Sequence, residues 1–225
     1  MNAAARLALV EGWPILLTAA VVGTTFGVTA RQSGLELAEI SGMSLVIFAG
    51  ASQFVAVELL RNGAAVPAVI LAAFLINLRH LLMATALRPR FAARSFAERL
   101  GLAYILTDEA FAMSVGWYRR GRGTVTSYAV FGTALWLAWN LATVAGALVS
   151  DRIAEPRRLG VDFAITASFL SIVALAVRGR TDVAIALIAA GVSAALALSG
   201  ASVVAVIGAG ALAPLATFVL PRARP

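Results

Sequence analysis

Phe74-Leu75-Ile76-Asn77-Leu78-Arg79-His80-Leu81-Leu82-Met83 sets an amide, a guanidinium and the chain's only imidazole inside an unbroken apolar run. Followed outward, the run covers residues 67–87: Pro67 suits the first turn of a helix, and Arg88-Pro89 closes it. A segment of about 20 apolar residues is what a helix needs to cross a hydrocarbon core. Polar and ionisable groups at that depth are costly, so they face a bundle interior or a wet cavity and mark a pathway. The decapeptide therefore predicts a membrane-spanning helix and a functional face on it.

The whole chain has the same character. Of its 225 residues 61% are hydrophobic and 13% charged, against about 25% charged in soluble domains, and the mean hydropathy is +0.91. This composition excludes a soluble globular domain. The net charge of +7 comes from arginines that lie mostly in short connections between apolar runs, so they read as headgroup contacts and topology signals rather than a nucleic-acid surface. There is no cysteine, which removes disulfides, thiolate catalysis and cysteine metal sites. All 18 basic residues are Arg, so Schiff-base chemistry on lysine is excluded too. Arg6 before an apolar run resembles a signal peptide, but Glu11 and Pro14 interrupt that run, which reads as a retained first helix.

Cutting at charges, Gly and Pro gives apolar segments at 13–30, 41–60, 67–87, 100–118, 128–150, 161–178, 181–198 and 201–220. The expected fold is an all-α polytopic transmembrane helix bundle of 7–8 membrane segments, with room for a broken or re-entrant one. It reads as a single integral membrane domain over 1–225, with a polar-cored front at 13–150 and an apolar back at 161–220. The back half has Ser168, Ser171 and Ser193 as its few deep polar groups, and Pro214 suggests a kink. Residues 51–63 faintly echo residues 167–180, a similarity that Ala- and Val-rich sequence also produces by chance.

Polar residues fall near the middle of several segments. Gly23 and Gly27 give small-xxx-small spacing, either a packing groove or an unwound stretch. Gly50, Ser52 and Gln53 sit centrally in the second segment, where Gln53 needs a hydrogen-bond partner away from lipid. Asn77 and His80, three residues apart, share one helix face, while Arg79 is rotated away by roughly 100° per residue. Asp108 and Glu109 lie mid-segment in the fourth, and a carboxylate in low dielectric either protonates or finds a cation. Arg79 is the natural partner, as a structural ion pair or as part of proton coupling. Asn140 lies beside Trp139 in the fifth.

Phe48-Ala49-Gly50-Ala51-Ser52-Gln53-Phe54, Asn77-Leu78-Arg79-His80-Leu81-Leu82-Met83 and Leu106-Thr107-Asp108-Glu109, with Phe26-Gly27 before them, resemble the branched-chain amino-acid permease family called AzlC. The resemblance is specific from about Pro14 to Trp117. It implies export of branched-chain and similar small amino acids by the large subunit of a two-component carrier, working with a small AzlD-like membrane subunit in the bacterial inner membrane. Functional weight passes by resemblance to Gln53, Asn77, Arg79, His80, Asp108 and Glu109. No cofactor, metal site or catalytic residue is expected. A proton-independent channel or membrane scaffold is the alternative. An intramembrane enzyme fits less well, because one His beside two adjacent carboxyls is a poor hydrolytic metal set and Ser52 lacks a nucleophile turn.

Overall fold

A computed structural model describes residues 3–152 and 179–198 of the chain. Among these residues the secondary structure is helical throughout. The chain divides into two compact units, residues 1–161 and 162–225. Of the second unit the described part is one helix, α9 (Arg180–Leu198), close to the expected segment 181–198. The expected segments 161–178 and 201–220, with Ser168, Ser171 and Pro214, lie outside the described residues.

The first unit is built on three helices long and apolar enough to cross a membrane. They are α1 (Ala3–Gln32), the nearly continuous pair α4 (Val66–Asn77) and α5 (Arg79–Phe91), and α8 (Val125–Val149). The expected helix of the decapeptide is present, with a joint at Leu78. There the Leu78 N–H is shared between the Phe74 and Leu75 carbonyls, a local tightening of the turn.

Helices α1 and α8 run parallel and in close contact. A Cβ added to Gly12 would meet Phe131, one at Gly23 would meet Trp139 and Ala142, and one at Gly27 would meet Thr143 and Ala147. Contacts that advance together along both chains place both helix starts at one end of the bundle. Helix α1 is continuous through Gly23 and Gly27. Those glycines form a packing groove, and the unwound alternative is excluded.

Segments 41–60 and 100–118 do not cross. Each is two half-length helices joined by a break: α2 (Leu37–Val46) with α3 (Gly50–Arg61), and α6 (Phe96–Tyr104) with α7 (Asp108–Arg119). At 1.5 Å per residue these arms are about 14–18 Å long, roughly half of a ~30 Å hydrocarbon core. The first break turns on Phe48, whose φ of 40° is left-handed, followed by extended Ala49. The second has extended Thr107 as N-cap, its hydroxyl accepting from the Ala110 N–H at 3.2 Å.

Contacts fix the direction of every arm. The end of α5 lies where α7 ends and α8 begins: the Arg90 guanidinium is 4.9 Å above the Tyr118 ring, and the Phe91 and Tyr128 rings are 5.0 Å apart. Since only four residues separate α5 from α6, the α6–α7 pair enters from this end and returns to it. The mirror arrangement holds opposite. Gly50 packs on Trp139, whereas Phe54, one turn later, meets Phe26 at the level of Thr143, so α3 runs back toward the end from which α2 came. The first unit is thus three crossing helices with two re-entrant hairpins entering from opposite ends. Two of the five segments expected over residues 13–150 are thus broken and re-entrant, the possibility the sequence left open, and this brings the loop 88–99 to the same end as Arg119, Arg120 and Arg122.

Candidate functional site

The two hairpin tips meet near the middle of α8. A helix that ends inside a bundle leaves its last carbonyls without intrahelical donors, and the other elements supply them. The Tyr104 hydroxyl, from the last turn of α6, donates to the Leu45 carbonyl in the last turn of α2. Trp136 Nε1 of α8 donates to the Tyr104 oxygen at 2.9 Å. The Tyr128 hydroxyl donates to the Leu102 carbonyl at 2.7 Å. Tyr104→Phe removes the donor to Leu45 and the acceptor of Trp136 together. An unsatisfied buried group costs about 1–3 kcal/mol; Tyr104 is partly exposed, so we expect the lower part of that range, read as a lower Tm in detergent.

Gln53 lies in the first turn of α3, next to the first break, and is fully buried. Its Oε1 accepts from the Ala49 N–H at 3.2 Å and its Nε2 donates to Ser44 Oγ at 2.9 Å. Ser44 Oγ in turn lies 3.4 Å from Thr143 Oγ1 of α8. Ser52 Oγ donates to the Ala49 carbonyl. These groups satisfy the backbone that the break frees, so the structure places Gln53 in a polar latch that holds the turn. Trp139 fills the space against Gly50 and stacks on Phe26, with centroids 6.1 Å apart.

The second tip carries the charges. Asp108 and Glu109 are the first two residues of α7, where the positive end of a helix dipole favours carboxylates. Arg79 Nη2 lies 2.8 Å from Asp108 Oδ2, with the two side chains 33% and 24% exposed. The joint at Leu78 divides the motif: α4 ends on Asn77, and α5 begins with Arg79 and His80. His80 Nδ1 is 3.0 Å from the Asn77 carbonyl oxygen. A carbonyl only accepts, so Nδ1 is the donor in this contact.

Two buried polar atoms at this joint, Asn77 Oδ1 and Arg79 Nε, have no hydrogen-bond partner. They are an acceptor and a charged donor two residues apart, and the same guanidinium holds the Asp108 carboxylate. Buried polar groups normally find partners. An orphaned pair of opposite demand suits a small solute that carries both a donor and an acceptor. Asn140, by contrast, donates from Nδ2 to the Trp136 carbonyl of its own helix at 2.9 Å.

One ionic group was not singled out from the sequence. Glu11 in α1 accepts from Trp117 Nε1 at 2.9 Å and pairs with Arg120 and Arg122, each at 2.8 Å. It ties the start of α1 to the end of the α6–α7 hairpin. The interruption of the first apolar run by a carboxylate was its signal in the sequence.

The family described as AzlC protein matches residues 14–153. The chain belongs to the AzlC family. The match extends the similarity beyond Trp117 through the whole of α8. An uncharacterized membrane protein of Helicobacter pylori strain ATCC 700392 / 26695 is 33% identical over 69% of this chain and 68% of its own length. One from Archaeoglobus fulgidus is 34% identical over 78% of the chain and 77% of its own. Inner membrane protein YgaZ of Escherichia coli K12 is 31% identical over 61% of the chain and 57% of its own. No solved structure matches. The protein is an integral membrane protein of the AzlC family with a helical membrane-bundle fold.

Proposed function

We propose that this AzlC-family protein is the large subunit of a secondary carrier that exports branched-chain or similar small amino acids across the bacterial inner membrane. The observation that carries the reading is the Arg79–Asp108 pair at a hairpin tip, flanked by the unpartnered Arg79 Nε and Asn77 Oδ1. An amino acid supplies what they lack. Its carboxylate accepts from Arg79 Nε, and its ammonium donates to Asn77 Oδ1 and to the carboxylate of Asp108 or Glu109. His80, the chain's only imidazole, is the candidate proton-responsive group. Transporter sites built from broken helices near the bilayer midplane follow the same logic.

A small AzlD-like membrane subunit is the proposed partner. The α4–α5 helix carries an apolar stripe that the first unit leaves uncovered, including Ile70, Phe74, Leu81 and Leu82 at 61–73% exposure, and this stripe is open to lipid or to such a subunit. The chain works without a resident cofactor and is not an enzyme in this reading.

Counterflow in vesicles holding both subunits tests it. Vesicles preloaded with unlabelled leucine should accumulate labelled leucine or valine above its outside level. Uptake no greater than in empty vesicles would reject the transport reading. Uptake without stimulation by preloading would favour the channel, because exchange through an alternating site is what distinguishes a carrier.

A further inference from the structure

The return of both hairpins to their own ends redistributes the charge of the first unit. At the end where α1 and α8 begin stand eight arginines: Arg6, those of the 88–99 connection, and Arg119, Arg120 and Arg122. Against them stand only Glu11 and Glu98. The opposite end holds Arg31, Arg61 and Arg152 against Glu36, Glu39, Glu58 and Asp151. Over residues 3–152 one end is strongly basic and the other slightly acidic. With five crossings, the 88–99 loop would fall opposite Arg119–Arg122 and this asymmetry would vanish.

The basic residues are also available. Arg88, Arg99 and Arg119 are exposed and make no salt bridge among the described residues. Arg94 holds Glu98 at 3.4 Å with both side chains about half exposed, and Ser95 and Glu98 form a capping box that starts α6 at this level. The Ser95 N–H beside the Glu98 carboxylate lowers its pKa, so Glu98 stays charged, and with Glu11 it offsets only two of the eight arginines. Arginines within reach of an anionic leaflet are attracted to its headgroups, and short loops rich in Arg stay on the cytoplasmic side.

We propose that the basic end docks against the anionic phospholipid headgroups of the cytoplasmic leaflet. The α6–α7 hairpin then enters from the cytoplasm and α2–α3 from outside, so the ion-paired tip belongs to the cytoplasmic hairpin and the Gln53 latch to the external one. This assignment stands independently of what the protein transports.

The absence of cysteine makes the test direct, because each labelling site is a single substitution in the natural sequence. Ala38→Cys, Ala65→Cys, Ala93→Cys and Thr126→Cys all replace exposed residues at the two ends. With a membrane-impermeant maleimide on spheroplasts, positions 38 and 65 should label directly, and positions 93 and 126 only after permeabilisation. Splitting of either pair would overturn the hairpin topology, and the reversed pattern would overturn the orientation. For the lipid contact, the protein is placed in vesicles of phosphatidylcholine alone or with phosphatidylglycerol. The anionic lipid should raise Tm, less so in high salt, and Arg88→Ala/Arg99→Ala/Arg119→Ala should lose much of the rise. Equal Tm in both lipids, or a rise untouched in the triple variant, would overturn the docking.

Discussion

Gly27→Ala is expected to separate the two helices on which the first unit is built. A Cβ at Gly27 would stand 2.0 Å from the Thr143 carbonyl oxygen and 2.8 Å from the Ala147 nitrogen. The same contact exists in reverse: a Cβ at Gly146 would stand 2.1 Å from the Thr24 carbonyl oxygen. These neighbours are backbone atoms of long helices, so no side chain can rotate aside. Overpacking in a tight core costs typically about 1–3 kcal/mol, and here relief requires moving α1 and α8 apart along much of their length. In a membrane that loss is not made good by hydrophobic drive, since close packing and interhelical hydrogen bonds supply the association. Thr143 also carries the Ser44–Gln53 latch, so the first hairpin should loosen with it. We expect Gly27→Ala to lower Tm in detergent by many degrees and Gly27→Leu to yield aggregated protein on size exclusion. Gly42→Ala is the control: no atom lies within 4 Å of its Cβ position, and Ala is favoured over Gly in a helix by about 1 kcal/mol. Equal stability of Gly27→Ala and Gly42→Ala would show that the groove does not hold the helices.

The same pairing shows what sequence can and cannot carry. Hydropathy identifies α1, α4–α5 and α8 because a crossing helix must be apolar over its full length. It fails for 41–60 and 100–118 because twenty apolar residues look alike whether they cross or double back. The first break is invisible for a further reason. It turns on Phe48, an unfavourable residue at positive φ, with no capping side chain at Ala49, so no local signal announces it. The second carries a local signal, since Thr107 followed by Asp108 and Glu109 is a helix-start signature, but the apolar run around it masks that signal. The Arg79–Asp108 pair could be anticipated because opposite charges at one depth in low dielectric must meet. The partners of Gln53 could not, since the break itself creates them. Asn140 shows the converse, because a backbone carbonyl one turn away meets its demand without any tertiary contact.

Replacing Arg79 should have the largest effect on function, and the nature of the replacement should separate structure from transport. Arg79→Ala strands Asp108 at the tip of the α6–α7 hairpin. Breaking a fully buried pair costs about 3–5 kcal/mol and an exposed one about 0–1. With side chains a third and a quarter exposed, a loss of about 2 kcal/mol is expected, seen as a lower Tm that Arg79→Ala/Asp108→Ala partly restores. Arg79→Lys keeps the charge and can still reach Asp108, so stability should recover further. What lysine lacks is a second donor along the fork, and in this protein that donor is Nε, buried and without a partner. If Nε holds the substrate carboxylate, Arg79→Lys should fold like the parent yet lose counterflow by about tenfold or more, as a hydrogen bond to a charged group worth ~1.5–3 kcal/mol implies. The loss should fall on KM when leucine is the substrate. A Lys variant with normal stability and normal counterflow would reduce Arg79 to a structural strut, and the solute site would then have to be sought away from this hairpin tip.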